Sequence, residues 1–469
     1  MNEKPKESKT SLGNGRIYGY AMGEFGYNFF ITFVAYYLLY FLTNGALFST
    51  AVAATLYTAA RWIQWLSMPV AGVIVDRTQF KAGKYRPWLL IGSLLMCVAG
   101  GLVFTNLGLS SAAYVVVFLV LYALTYGGNS IMWVSYRALM GPMSKKSGDY
   151  VALSTAASQM GSLARIGFGY AAALFIGLYA ATATPIRGYS IAAWVFGLLI
   201  VAGMAIVYLV TKPYQQIDVN LVAQEKAKKE KVSGKEMWQQ LSSSHMLIFI
   251  ITIVLRVLVI GLVPTLMVYY FGYVLQDPAS MAIYLTITYL LQFLGASAVR
   301  WAANKWGKKP VFISTTFATA VLLVLTKFFG GTTVSFIILM SAVQFFNIFA
   351  ASLVPAFIAD IADYNEYKFG NRAKGFAYSV GGVCVNVAGV LGATVASFGL
   401  VLVGFDATVA PTAEVLNGIT NLMTLASAVM MAIAACIFLA YKLNDKVMTQ
   451  TREALAAAKS AEAAQDMAE

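Results

Sequence analysis

Apolar stretches long enough to cross a bilayer recur about twelve times along this chain, and no other feature narrows its architecture as much. A spanning helix needs about 20 largely apolar residues. Stretches of that kind run over 17–42, 50–76, 88–107, 112–140, 150–180, 189–211, 246–276, 279–304, 310–330, 332–358, 376–404 and 416–441. Only 11% of the 469 residues are charged and 59% are hydrophobic, against about 25% charged in soluble domains, so an ordinary soluble protein and a disordered chain are both excluded. The first stretch is expected to be retained. Lys4, Lys6, Lys9 and Arg16 precede a long, polar-punctuated helix rather than a short apolar core with a cleavage site. Cys97, Cys384 and Cys436 each stand alone in apolar runs, which argues against a disulfide framework or a zinc site.

A formal charge of +13 would suit a nucleic-acid partner, but its distribution says otherwise. Basic residues gather in alternate connections: the N-terminus, 77–87 (Arg77, Lys81, Lys84, Arg86), 141–149 (Lys145, Lys146), 212–245, and Lys305, Lys308 and Lys309. The connections between them carry at most Arg187. By the positive-inside rule both termini face the cytoplasm, and nucleic acid is not an expected partner. The polar segment 212–245 divides the helices six and six. A faint repeat supports that division, because Gly83-Lys84-Tyr85-Arg86-Pro87 follows the second helix and Gly307-Lys308-Lys309-Pro310 follows the eighth. The expected fold is an all-α membrane protein with twelve transmembrane helices in two six-helix bundles, the major facilitator plan. Its parts are a cytoplasmic segment 1–16, bundles 17–211 and 246–441, the linker 212–245, and a tail 442–469 expected to be a solvated helix.

Several separated motifs resemble the glycoside-pentoside-hexuronide:cation symporters, relatives of melibiose permease. Asp76-Arg77-Thr78 with Gly83-Lys84-Tyr85-Arg86-Pro87-Trp88 resembles their loop between helices two and three. Gly23-Glu24-Phe25-Gly26-Tyr27-Asn28 is similar to their first-helix pattern, and Ser135-Tyr136-Arg137-Ala138-Leu139 to the end of their fourth helix, with Ser135 where proline is usual. Asp360-Ile361-Ala362-Asp363-Tyr364-Asn365-Glu366-Tyr367-Lys368, with Arg372 and Ala377-Tyr378-Ser379, resembles the loop entering helix eleven. The resemblance implies import of a sugar or glycoside by alternating access across the plasma membrane, usually driven by sodium or a proton. It also implies inter-helix gate contacts by Asp76, Arg77, Arg86, Asp360, Asp363 and Arg372. Such pairs can form in one conformation and separate in another, or only fix loop shape. The acids at 360, 363 and 366 could in principle face a metal, but Lys368, Arg372 and Lys374 are near enough in sequence to neutralise them. His245 is the only histidine and no hydrolase, metalloprotease or phosphate-loop motif occurs, so an enzyme is not expected, nor a cofactor.

The family pattern breaks in helix two. Its usual Arg-x-x-Asp-x-x-x-Asp reads here Arg61-Trp62-Ile63-Gln64-Trp65-Leu66-Ser67-Met68, so both cation-binding acids are neutral. Sodium favours several oxygen ligands, and a thioether supplies none. Glu24 remains as an acid well inside the bilayer, with Asn28 one turn further along. Desolvation there disfavours a bare charge, so Glu24 either takes up a proton or substrate hydroxyl, or is held ionised by a guanidinium such as Arg61. The family's helix-five arginine aligns with Ser158, the helix-four acid with Trp133 and the helix-eleven lysine with Asn386, while Arg165 lies two turns deeper than Ser158 on nearly the same face.

Arg61, Arg165 and Arg256 thus set three intramembrane cations against one acid, and each costs about 2.5–3.5 kcal/mol without a partner. An anionic glycoside such as a hexuronide would supply one; helix carbonyls and rim acids are the alternative. Sugar CH faces pack on aromatic planes while hydroxyls need amides or carboxylates, which singles out Trp133, Tyr126 and Tyr269, the first two on one helix with Asn129, although packing alone is the more common role of such rings. Gln292, Gln344, Asn347 and Asn386 are the polar residues of the second half. The substrate-binding set is therefore Asn28, Arg61, Gln64, Asn129, Trp133, Arg165, Tyr269 and Asn386, with Glu24 for the proton. The expected protein is a monomeric sugar or glycoside transporter, proton-coupled or uncoupled. Sodium coupling, or export or exchange of a related or amphiphilic solute, is the alternative.

Overall fold

The computed structural model describes residues 12–80, 82–144, 147–180, 186–214, 242–369 and 374–466. Twelve long helices follow one another among them. They are α1 (Asn14–Tyr40), α2 (Thr50–Arg77), α3 (Arg86–Val103), α4 (Ser111–Ala138), α5 (Ser147–Ala180), α6 (Ile186–Val210), α7 (Ser244–Tyr269), α8 (Ser280–Trp306), α9 (Lys308–Phe329), α10 (Thr333–Phe369), α11 (Lys374–Leu402) and α12 (Ala413–Leu439). A further helix, α13 (Asp445–Asp466), carries the tail. Eleven of the twelve are long and apolar enough to cross a membrane. The exception is α2, whose 28 residues include Arg61, Gln64, Ser67, Asp76 and Arg77. At 1.5 Å per residue it is about 42 Å long, enough for a hydrocarbon core of about 30 Å. Large apolar side chains remain uncovered in stripes, such as Val116, Val120 and Leu124 along α4, as a lipid-facing surface requires.

The faint sequence repeat is written in the backbone. Gly83 and Gly307 both take positive φ (100° and 85°), where a β-carbon is strained, just before α3 and α9. The first helix of each half also ends alike. α1 runs into a π-turn, Phe41–Gly45, and α7 into Tyr270–Val274. In each case the turn is followed by a non-glycine residue at positive φ, Leu47 (56°) and Gln276 (54°). The closing hydrogen bonds match as well: Ala46 N to Phe41 O and Phe48 N to Leu42 O, against Leu275 N to Tyr270 O and Asp277 N to Phe271 O.

Helix α10 overruns its expected end at 358 and continues to Phe369. Ile358, Ile361 and Ala362 are buried and keep one face packed, and no breaker arrives before Gly370. Asp360, Asp363 and Glu366 therefore sit on the last turns of a helix and not in a loop.

The chain forms two compact units. One comprises Met1–Lys229, Pro264–Tyr289 and Ser397–Leu416; the other comprises Glu230–Val263, Leu290–Ala396 and Asn417–Glu469. In the first, α1 packs on α5 and α6, α3 on α4 and α6, and α2 on α4. Phe29, Phe33, Phe104, Phe168 and Phe196 pack there ring against ring. In the second, α9 packs on α10 and α12, and α13 lies on α10. Phe312, Phe357, Phe438 and Tyr441 fill its centre. In lipid, such interlocking is favoured by dispersion and polar contacts rather than by exclusion of water.

Candidate functional site

Glu24 stands ten residues into α1, about 15 Å along its axis, and is buried. Its Oε1 accepts from Arg137 Nη2 of α4 at 2.8 Å. Its Oε2 accepts from Asn28 Nδ2 at 3.0 Å, one turn further along α1. Asn28 Oδ1 in turn accepts from Arg165 Nη1 of α5 at 3.1 Å. Arg137, Glu24, Asn28 and Arg165 thus form one unbroken chain of bonds across three helices, with two positive charges and one negative.

Arg61 is not the partner of Glu24 that the sequence offered. Tyr57 and Gln64 lie one turn to either side of it on α2 and capture the guanidinium locally. Nη2 donates to Tyr57 Oη at 2.7 Å and Nη1 to Gln64 Oε1 at 3.1 Å, with the guanidinium 4.9 Å from the Tyr57 ring. Neither Arg61 nor Arg165 has a carboxylate within ion-pair distance among the described residues, and the Nε of each is buried without a partner.

Between these groups runs an aromatic wall. Trp133 stacks on Tyr27 at 4.4 Å between ring centroids, and Arg137 lies 4.5 Å over the Trp133 ring. Asn129 is buried, and its Oδ1 has no hydrogen-bond partner among the described residues. Tyr126 packs on Tyr122 with ring centroids 4.7 Å apart. Where the family pattern has carboxylates on α2, only neutral groups stand. Gln64 Oε1 takes Arg61 and, at 3.5 Å, Tyr122 Oη; Ser67 Oγ lies 2.6 Å from Ser130 Oγ and donates to the Tyr126 carbonyl at 3.2 Å. Met68 is exposed.

α5 passes directly over the Glu24–Asn28 pair. A β-carbon on Gly161 would meet Asn28 Nδ2 at 2.8 Å and Glu24 Oε2 at 3.7 Å. Overpacking of this kind costs about 1–3 kcal/mol, so Gly161→Ala is expected to lower the unfolding temperature of the purified protein modestly and to cut uptake about tenfold or more by displacing Asn28. Normal uptake by Gly161→Ala would show that Asn28 need not hold its position.

The remaining expected residues are scattered. Tyr269 Oη lies 2.7 Å from Thr43 Oγ1, and its ring meets Tyr40 and Phe405 edge-on. Thr43 is about 22 Å along α1 from Asn28, so Tyr269 does not join the cluster. Asn386 belongs to the second unit, is exposed, and donates to Gly382 O of its own helix at 2.9 Å. In that unit Arg256 is fully buried, and its Nη2 donates to Asn347 Oδ1 at 2.6 Å over the Phe312 ring. Its Nε, like those of Arg61 and Arg165, is buried without a partner among the described residues.

The rim charges pair differently from expectation. Asp76 accepts from Lys84 at 2.8 Å, not from Arg77, which is exposed and has no ion pair among the described residues. Arg86 is buried, donates through Nη2 to the Tyr208 carbonyl at 2.8 Å and stacks on the Tyr208 ring at 4.2 Å, so it ties α3 to α6. Asp360 takes both Lys308 and, at 2.9 Å, Arg452 of α13; Asp363 takes Arg452 at 3.2 Å. Neither Lys308 nor Arg452 is among the neighbours suggested by sequence proximity. Arg372 lies outside the described residues.

The profile of the MFS/sugar transport protein family matches residues 19–445. The chain belongs to that family. The resemblance to glycoside-pentoside-hexuronide symporters read from the motifs is thereby borne out, as are the all-α major facilitator fold and the reading as a sugar transporter rather than an enzyme. Among its relatives, the glucuronide carrier protein homolog of Escherichia coli (strain K12) is 27% identical over 440 residues, covering 92% of this chain and 93% of that one. The putative sulfoquinovose importer of Salmonella typhimurium is 26% identical over 456 residues, covering 95% and 93%. A crystal structure of a D-xylose-proton symporter shares the fold, with a TM-score of 0.64 over 92% of this chain and 97% of that one at 14% identity.

Within this transporter, the residues that sequence reasoning missed are those supplied by other helices. Arg137 stood in a quoted motif without a role, though an arginine at the end of a helix rich in Tyr, Asn and Trp was a signal that could have been followed. Tyr57, one turn before Arg61, could have been found from the i, i+4 spacing. Lys308 stood in the quoted repeat, matching Lys84, without a role, and nothing local marked Gly161 or Arg452.

Proposed function

We propose that this transporter imports an anionic sugar derivative, a glycoside bearing a carboxylate or sulfonate, in symport with protons that bind Glu24. The observation that carries the substrate class is the charge balance of the Glu24 cluster and the arginines deep in the neighbouring helices. One carboxylate, Glu24, is already taken by Arg137, and two further guanidinium groups, Arg61 and Arg165, hold only neutral partners. Guanidinium groups bind carboxylate and sulfonate oxygens with paired, charge-assisted hydrogen bonds, and an anionic substrate gives intramembrane arginines the counter-charge they lack. The Tyr27–Trp133 stack offers a plane for a sugar ring, and Asn129 and Gln64 offer amides for hydroxyls. A glucuronide and sulfoquinovose, the solutes in the names of two relatives, are both acidic sugars.

Glu24 suits the coupling role because Asn28 joins it to Arg165. Protonation removes the charge that holds Arg137 and weakens the acceptor to which Asn28 donates, so the state of the acid reaches the substrate cation through a single amide. Sodium is disfavoured because the α2 acids are replaced by Gln64 and Met68. In this reading both termini are cytoplasmic, the basic rim faces inward, and each chain works as a monomer. The residues 17–211 and 246–441 act as the two bundles of an alternating-access cycle, and Asp76, Arg77, Arg86, Asp360, Asp363 and Arg372 act at its cytoplasmic gate.

Uptake by proteoliposomes under imposed proton or sodium gradients, with glucuronides and matched neutral glucosides, tests both parts. Proton-driven accumulation of the glucuronide and weak transport of the neutral sugar are expected. Accumulation driven by sodium alone, or equal handling of both sugars, would overturn the coupling or the substrate assignment respectively.

A further inference from the structure

We propose that the cleft between α8, α10 and α13 in the second unit holds the phosphodiester headgroup of an anionic phospholipid. The cleft has a volume of about 580 Å³ and is lined by Arg300, Asn304, Lys308, Ser352, Thr449 and Arg452 among others. Its charges are arranged so that the cations face outward over buried acids. Asp360 is 1% exposed and Asp363 18%, while the side chains of their partners Lys308 and Arg452 are 23% and 54% exposed. Arg300 adds a further exposed guanidinium with no ion pair among the described residues. An approaching ligand therefore meets the uncompensated Arg300 beside the outer faces of two ion-paired cations, with Ser352, Thr449 and Asn304 in the same lining, a combination that matches phosphate oxygens.

The surroundings choose a lipid over a free phosphate ester. Trp301 and Trp306, at the same end of α8, are exposed, and the Lys305 ammonium lies 5.2 Å and 5.3 Å from their ring centroids. Tryptophan and lysine at a helix end mark the headgroup level of a bilayer. Leu290 and Leu294 are exposed four and then seven residues apart from each other and Trp301, on one stripe of α8 that gives acyl chains an apolar track away from the cations. The tail is part of the site, since Thr449 and Arg452 come from α13.

Native mass spectrometry of the full-length transporter, delipidated into phosphatidylcholine micelles and titrated with phosphatidylglycerol, tests the assignment. Wild type is expected to retain one phosphatidylglycerol in preference to phosphatidylcholine. Arg300→Gln should weaken retention about fivefold, as befits one arginine at a membrane surface, and Arg300→Lys should largely restore it. Lys327→Gln, a cation bonded instead to Asn417, should leave retention unchanged. Equal retention by Arg300→Gln and wild type, or equal retention of the two lipids, would overturn the site. Displacement of phosphatidylglycerol by soluble glycerol 3-phosphate would overturn the lipid assignment in favour of a soluble phosphate ester.

Discussion

Glu24→Gln is expected to convert an accumulating transporter into an equilibrating one. A pH difference of one unit stores about 1.4 kcal/mol per proton, enough for about tenfold accumulation at one proton per substrate. In the variant that ratio should fall to one in a proteoliposome uptake assay, while exchange of labelled for unlabelled substrate continues. The physical reason is that glutamine keeps the acceptor oxygen facing Asn28 but has no proton to gain or lose. The fold should survive, because the partner left without its counter-charge, Arg137, is half exposed and can be solvated. Continued uphill uptake by Glu24→Gln would place the proton elsewhere and would break the link drawn here from Glu24 through Asn28 to Arg165.

Arg165→Gln is expected to act on the substrate rather than on the driving ion. Losing one member of a buried, charge-assisted contact costs about 2–5 kcal/mol, which is at least about 30-fold in KM for a glucuronide. For a matched neutral glucoside the KM should change little, and that ratio is the informative quantity. Arg165→Lys keeps the charge but not the planar fork that serves Asn28 and an anion together, so it should fall between the two. Equal losses for acidic and neutral sugars would mean that Arg165 serves only to position Asn28, and the anionic reading would fail while proton coupling stood.

How far these sites were legible varied with the distance between the residues involved. Twelve apolar stretches declare themselves because each must be apolar over about 20 consecutive residues, and helix ends moved only where the local pattern was weak. The overrun of α10 is such a case: the acids at 360, 363 and 366 look like a loop to hydropathy, although they alternate with buried Ile358, Ile361 and Ala362. Glu24 and Asn28 were readable together because they are one turn apart. The Glu24–Arg137 pair was not, since 113 residues separate its members and the sequence pointed to Arg61 instead. Tyr269 shows the converse error: an aromatic residue in a polar-looking neighbourhood, but held by Thr43 at another level of the bundle.

The chain's own order of residues determined that it lives in a bilayer, that its helices fall into two repeated halves, that it resembles sugar symporters, and that it lacks the usual helix-two acids. Those properties depend on runs of residue types and on local spacing, which a linear sequence carries in full. Only the tertiary structure decided which cation neutralises Glu24, that Tyr57 and Gln64 retain Arg61, and that the tail closes over Asp360 and Asp363 through Arg452. In a medium of low polarity any of several arginines would satisfy a buried carboxylate, so the choice rests on which helices pack face to face, and packing is a property of surfaces rather than of strings.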